Sequence, residues 1–396
     1  MSARPISAPE GLDALVAEMT AIRRDIHKHP EVAYEEFRTA DIVSAKLSEW
    51  GIEHERGIAE TGIVATIRNG SGNRAIGLRA DMDALHVQEF NTFEHASVHE
   101  GKMHACGHDG HTAMLLGAAK VLARDKPFDG TVHLMFQPAE EGLGGARKMV
   151  EEGLFRRFPC DAVYGLHNGS NVEAGSFLMR TGPILAASDT WDVTFTGRGT
   201  HGAMPHRGTD ATAAAAQFVI ALQSICARVK DPMAPAVIST GAIHGGDPAA
   251  PSVVPEVVRV TGTARSFTPE VRDLLEDGIR RAADSAAALY GVAAVSDYLR
   301  RYPPTVNAAD CVDVAYRAAV NVAGEAAVDR NCDAMAGAED FSFMAQEVPG
   351  AYVFIGNGPG ENGCELHAPT YDFNDEIIAP GVRYWLNLVE TELPHS

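Results

Sequence analysis

Apolar residues recur at helical spacing near the start of the chain. Leu12, Leu15, Val16, Met19, Ile22 and Ile26 form one stripe of a predicted helix over 10–28. Pro30 ends it, because proline disfavours helical geometry in the residue before it. A second helix is expected over 36–50, stopped by Gly51. Two β-rich runs follow at 62–67 and 75–79, separated by the turn signal Asn69-Gly70-Ser71-Gly72. The pattern then alternates: helix over 112–123, strand over 131–137, helix over 145–153, strand over 161–166. Such alternation predicts an α/β domain with a mixed or parallel sheet covered on both faces.

The pattern changes at about 188. A strand is predicted over 191–196, an Ala-rich helix over 209–229, strands over 235–241 and 257–265, a helix over 269–290 and a strand over 292–299. That order, β-α-β-β-α-β, is the ferredoxin-like arrangement. The α/β pattern resumes after Pro304, with helices near 310–323 and 339–347, a strand over 352–355, and a Gly-rich loop over 356–363 leading to Cys364-Glu365-Leu366-His367. The organisation expected is therefore a larger domain in two parts, 1–187 and 302–396, with a small domain over 188–301 inserted between them. No internal repeat or low-complexity tail is evident.

A chain of 396 residues exceeds one ordinary core, which agrees with two domains. The formal net charge is -20, from 53 acidic and 33 basic residues, so no basic surplus exists to neutralise phosphates and nucleic acid is excluded as an expected partner. No run approaching a bilayer span is apparent, and Met1-Ser2-Ala3-Arg4-Pro5 lacks the apolar core of a secretory signal. The six cysteines are scattered without a CxxC pair, which reads as reduced thiols and a cytoplasmic location.

Candidate chemistry concentrates in His104-Ala105-Cys106-Gly107-His108-Asp109-Gly110-His111-Thr112. Three histidines, a thiol and a carboxylate in nine residues suit a first-row transition metal, since thiolate and imidazole are its preferred donors. The alternative is a polar turn with Asp109 capping the helix that follows. Asp81 and Asp83 end a predicted strand, where open α/β sheets put their sites, though a turn or cap role fits them too. Glu140, Glu141, His167 and His367 each follow a β-rich segment. Adjacent carboxylates resist joint ionisation unless a cation absorbs the charge. Glu140-Glu141 thus suits a division of labour, one carboxylate on a metal and one free to accept a proton.

Several motifs together resemble one family. They are HKHPEVAYEE at 27–36, RADMDAL at 79–85, HACGHDGHT at 104–112, QPAEEG at 137–142, GLH at 165–167, GTHGAMPH at 199–206, GTARSF at 262–267, AEDFSF at 338–343 and LHAPTYDFND at 366–375. In this order they are similar to the metal-dependent amidohydrolases that include hippurate hydrolase, N-acyl-amino-acid hydrolases and the indoleacetyl-amino-acid hydrolases of plants, within the wider aminoacylase and carboxypeptidase G group. The resemblance implies a metallopeptidase-like catalytic domain with an inserted lid and dimerisation domain. It also implies two divalent ions (Mn2+, Zn2+, Co2+ or Ni2+) held by Cys106, His108, Glu141, His167 and His367, with Cys106 as ligand and not nucleophile. Glu140 matches the general base, which takes a proton from water and later passes it to the leaving amine. His201 matches a histidine that reaches the active site of the partner subunit, and Arg265 an arginine near the substrate carboxylate. The expected reaction is hydrolysis of an N-acyl amino acid to a carboxylic acid and a free amino acid, by a homodimer. A dipeptidase or carboxypeptidase on the same scaffold, or a metal-binding protein without catalysis, are the alternatives.

Two departures stand out. Where the wider group has His-x-Asp, this chain has Asp81-Met82-Asp83, as in the hippurate-type subfamily. His108 then supplies the missing ligand, and Asp83 becomes a candidate to orient one. Where relatives carry Asn-Val-Ile-Pro, this chain reads Ser252-Val253-Val254-Pro255. A zinc nucleobase deaminase is disfavoured, because its H-x-E and P-C-x-x-C signature is absent.

Overall fold

The computed structural model describes residues 10–359 and 365–395, so Cys364 and the last part of the expected Gly-rich loop lie outside the described residues. The chain divides into two compact units. One comprises 1–184, 305–334 and 340–396; the other comprises 185–304 and 335–339.

The larger unit is built on an eight-stranded mixed sheet. Its strands run, in spatial order, Glu53–Ile58, Gly62–Asn69, Gly130–Gln137, Ala75–Asp81, Ala162–Ser170, Gly350–Gly358, Phe177–Leu178 and Val328–Asp329. The central strands Gly130–Gln137, Ala75–Asp81, Ala162–Ser170 and Gly350–Gly358 are mutually parallel, and both edges carry antiparallel neighbours. Ile76, Leu78 and Ala80 enter the main core with Val132, Leu134 and Phe136. Side chains alternate along a strand, so Arg79 and Asp81 face the opposite side. The helices Leu12–Lys28, Phe37–Glu49, His108–Asp125, Ala309–Ala323 and Ile378–Glu392 pack into the same core. The α/β fold with a mixed sheet stands as the pattern implied.

Several elements differ from expectation. The helix predicted from 112 begins at His108, four residues earlier, so His108 and His111 sit in its first turns. Its N-cap is Gly107, left-handed at φ 93, and no side chain caps it; Asp109 is therefore not the cap. Any other residue at Gly107 would be strained, and its Cβ would lie 2.4 Å from Asn168 Oδ1 and 2.6 Å from the Tyr371 hydroxyl, which would have to move. The helix expected over 145–153 runs Gly145–Glu151, and a further short helix, Leu154–Arg157, follows left-handed Gly153. The strand expected over 161–166 runs on to Ser170, so His167 lies inside it and not after it.

In the smaller unit the strand order is Ala236–Gly245, Val257–Ser266, Ala187–Thr196, Ala293–Tyr302, all antiparallel. Numbered within the unit that is 2-3-1-4, the ferredoxin-like order. Helices Ala211–Ser224 and Pro269–Tyr290 bury Phe218, Leu222, Leu275 and Ile279 against Trp191, Val193, Phe195, Val258 and Val260 of the sheet. Asp210 and Thr268 cap these helices with side-chain acceptors, as their residue types favour. The unit also recruits 335–339, which the sequence pattern assigns to the larger domain; Ala186 N–H reaches Met335 O and Gly337 O. One expectation is corrected here. Ala211–Val229 is long and apolar enough to cross a membrane by length and composition. Alanines and β-branched residues raise its hydropathy, while its large side chains Phe218 and Leu222 pack on the unit's own sheet.

Candidate active site

The parallel strands of the larger unit end side by side, and the segments leaving them bring the metal-ligand candidates together. Cys106 and His108 come from the turn into the helix His108–Asp125, and His167 from the strand Ala162–Ser170. Glu140 and Glu141 follow Gly130–Gln137. His367 sits at φ 67, its N–H donating 2.7 Å to Ala105 O, so the late segment is pinned directly to the Cys106 turn.

Donor atoms of Cys106, His108 and Glu141 lie within 4.8 Å of one another. Cys106 Sγ is 3.4 Å from His167 Nε2, and His367 Nε2 is 3.2 Å from Glu141 Oε1. All five candidate ligands thus form one connected group. A second grouping shares two of them: Asp81, His108, His111 and His167 also present donors within 4.8 Å. Asp83 touches the first group twice, its Oδ1 3.2 Å from His108 Nδ1 and its Oδ2 accepting from Glu141 N–H at 2.9 Å.

This donor set fits a transition metal. His108 has one ring nitrogen fixed by Asp83, while buried Nε2 has no hydrogen-bond partner. A carboxylate behind an imidazole whose other nitrogen is left open is the arrangement that orients metal-bound histidines. His167 repeats it, with Nδ1 2.6 Å from Asn168 O and Nε2 toward Cys106. Burial works against a charged His108, yet the Asp81 carboxylate and the Cys106 sulfur hold its pKa well above the usual value. Hydrogen bonds to Cys106 and Glu141 raise His367 to about 10, although its ring is half exposed. Burial and the neighbouring Glu141 charge push the Cys106 thiol up, which does not favour a free attacking thiolate. His167 goes the other way: burial and the neighbouring His111 and His108 hold its pKa well below the usual value, so it stays a neutral imidazole, the form that binds a metal.

Further residues hold the cluster in place. Asp81 Oδ1 is 2.5 Å from His111 Nδ1, and Asp81 Oδ2 accepts from Arg79 at 2.6 Å. Arg79 continues to Gln137 Oε1 at 2.6 Å and Asp340 Oδ1 at 3.1 Å, all of them buried. Arg79 and Asp340 stand in the RADMDAL and AEDFSF motifs but carry no sequence signal of their own; only the fold joins them, 261 residues apart. Asp109 faces away from the donors, 2.9 Å from His27 Nδ1 and 3.5 Å from Arg23. Both ring nitrogens of His104 are buried without a hydrogen-bond partner, and burial lowers its pKa to about 4, so it is neutral.

The His27–Asp109 pair makes stability pH-dependent. Burial disfavours the imidazolium, but Asp109 outweighs it and lifts His27 from 6.5 to about 9. A raised pKa contributes stability that is complete below 6.5, declines above it and is gone beyond about 9. A shift of that size corresponds to on the order of 3 kcal/mol. The difference in thermal midpoint between the parent and His27→Gln should therefore narrow as pH rises through that window. A gap that stays constant from pH 6 to 10 would contradict the assignment.

In the smaller unit, His201 lies on the two-residue strand Thr200–His201, opposite Val253 in a ribbon with Val253–Val254. It is exposed, and its Nδ1 accepts from Ala203 N–H at 3.1 Å. Ser252 O accepts from Gly202 N–H at 2.6 Å in the same ribbon. Arg265 is on the sheet strand Val257–Ser266, bonded to Thr263 Oγ1 and Ala264 O.

The sequence profile of peptidase family M20/M25/M40 matches residues 77–391, a span holding every donor described above. The chain belongs to that family. As an M20-type hydrolase it is 39% identical to hippurate hydrolase of Campylobacter jejuni over 380 residues, covering 96% of this chain and 97% of that one. It is 36% identical over 367 residues to thermostable carboxypeptidase 1 of Saccharolobus solfataricus, covering 91% of each. Among solved structures it is similar to a dinuclear metal-binding M20 peptidase of Bacillus subtilis. That match has a TM-score of 0.83 and 31% identity, covering 95% of this chain and 98% of that one. The M20 chain described here is accordingly an enzyme acting on amide bonds, with a metal-binding cluster of His, Cys, Asp and Glu donors.

Proposed function

We propose that this enzyme hydrolyses the amide of N-acyl amino acids of the hippurate type, releasing a carboxylic acid and a free amino acid. The observation that carries the reading is the five-donor group around Cys106, with the buried Glu140 next in sequence to its member Glu141. The likeness to hippurate hydrolase along nearly the whole of both chains supports it.

Cys106, His108, Glu141, His167 and His367 would hold two divalent first-row ions. Charge supplied there when ions are bound would polarise the amide carbonyl and acidify the attacking water. Glu140, one residue from the ligand Glu141 and outside the ligand set, takes the proton from that water as its oxygen bonds to the carbonyl carbon. It then delivers the same proton to the amine nitrogen as the C–N bond breaks. Asp83 orients His108 and fixes the Glu141 amide, which keeps base and ligand in register. His201 and Arg265 are assigned to the substrate, His201 as a donor to the developing oxyanion and Arg265 to its carboxylate. In this reading the protein is a cytoplasmic homodimer. The free cysteines among the described residues suit a reducing compartment, and the strand Ala236–Gly245 leaves one edge of its sheet unpaired.

A panel of N-acyl amino acids and free-amine dipeptides, each assayed with manganese, zinc, cobalt and nickel, tests the substrate class. N-benzoylglycine should turn over faster than any dipeptide. The opposite ranking would favour a carboxypeptidase, the reading to which the Saccharolobus relative points. Removing metal with a chelator should abolish turnover, and re-adding one of the four ions should restore it. Activity that survives complete chelation would exclude a metal-dependent reaction.

A further inference from the structure

Glu140 hangs on an unusual turn. Ala139, immediately before it, is left-handed at φ 55, a conformation that costs a non-glycine residue roughly 1 kcal/mol or more. Such a residue stays there only if its surroundings hold it. The Ala139 carbonyl accepts from Gly145 N–H at 3.0 Å, and its own N–H donates to Glu36 Oε1 at 2.9 Å, across 103 residues.

Glu36 is fully buried and stands at the N-cap of the helix Phe37–Glu49, yet its side chain does not cap that helix. Glu31 does so instead, accepting from Arg38 N–H at 2.9 Å and Thr39 N–H at 2.8 Å. The Glu36 carboxylate is thereby left to gather three other donors. Oε1 accepts from Ala139 N–H and from Tyr34 N–H at 3.0 Å, and Oε2 accepts from the Thr61 hydroxyl at 2.6 Å. Each donor belongs to a left-handed turn: Tyr34 has φ 64, Ala139 φ 55, and Thr61 follows Ala59 and Glu60 at φ 51 and 71. One carboxylate thus ties three strained turns together, and one of the three aims the proposed base.

We propose that Glu36 is a positioning residue for hydrolysis, fixing the Ala139 peptide so that Glu140 points at the reacting centre. The inference rests on Glu140 being the base. It requires an acceptor at Oε1 and a partner for Thr61, not a negative charge. Glutamine supplies both, because its carbonyl accepts and its amide donates to the hydroxyl. Aspartate keeps the charge but is one methylene too short to reach.

The test compares Glu36→Ala, Glu36→Asp and Glu36→Gln in the full metal-loaded protein. On N-benzoylglycine, Ala and Asp variants should lose about tenfold to 100-fold in kcat, with KM and metal content within threefold of the parent, as expected for a misaimed group. The Gln variant should stay within about threefold of the parent. Should Glu36→Ala not fold, Glu36→Asp and Glu36→Gln decide the matter. Hydrogen exchange over 138–145 gives a readout independent of substrate: faster in Ala and Asp, unchanged in Gln. Unchanged exchange in Ala and Asp, or a Gln variant as impaired as Ala, overturns the proposal. If the parent itself is inactive on the panel, the proposed substrate class falls, and the exchange result still decides whether Glu36 holds the turn.

Discussion

Glu140→Gln is expected to lower kcat on N-benzoylglycine by about 10²–10⁴-fold, the range that a positioned proton-transfer group contributes. The bound metal, counted by elemental analysis, should not change. Glu140 is buried next to Glu141, and Glu141, not Glu140, groups with Cys106 and His108 and contacts His367. Glutamine keeps the size and most hydrogen bonds of the side chain but cannot take a proton. Loss of turnover together with loss of metal would make Glu140 a ligand. Retained turnover would remove it from the mechanism altogether.

Cys106→Ala should have the larger effect on composition. Cys106 belongs to the grouping with His108 and Glu141, within 4.8 Å of both, and also lies 3.4 Å from His167 of the other grouping. Losing a partner that merely orients a metal ligand costs about 10–100-fold in affinity, so losing a donor itself should cost at least that. The expected result is fewer than two ions per chain after gel filtration and turnover at background, with an unchanged far-UV circular dichroism spectrum. Cys106 is a small side chain, and alanine fills most of its space. A variant that still retains two ions would show the thiol to be dispensable for binding.

Much of this site was legible because its residues are chemically conspicuous. The cluster from His104 to Thr112 and the pair Glu140-Glu141 announce themselves by type and spacing. What stayed hidden was the support. His27 lies on a helix whose periodicity says only that one face is buried, and its bond to Asp109 spans 82 residues. Asp109 read as a cap because its residue type favours caps, but glycine took that position, where a Cβ would have met Asn168. Two elements of the fold were unmarked for similar reasons. The strand Glu53–Ile58 is largely exposed and lies at a sheet edge, so backbone bonding to Gly62–Asn69 defines it without an apolar alternation. The helix Ile378–Glu392 carries Pro380 and Gly381 in its first turn, which look like breakers. Proline is tolerated there, and Gly381 is needed because a Cβ would lie 2.0 Å from Met114 Sδ.

The strand Gly350–Gly358 docks beside Ala162–Ser170, and His367 follows it to the Cys106 turn. Four of the five proposed ligands are present once residue 167 has been made, whereas the fifth arrives 200 residues later, after an intervening unit with its own core. Contacts of such long range are formed late, because the loop between them must first be closed. During synthesis, then, the protein carries a half-built thiol and imidazole cluster with an open sheet edge beside it. The last central strand of the sheet and the last of the proposed ligands thus both come from the late part of the chain, close together in sequence.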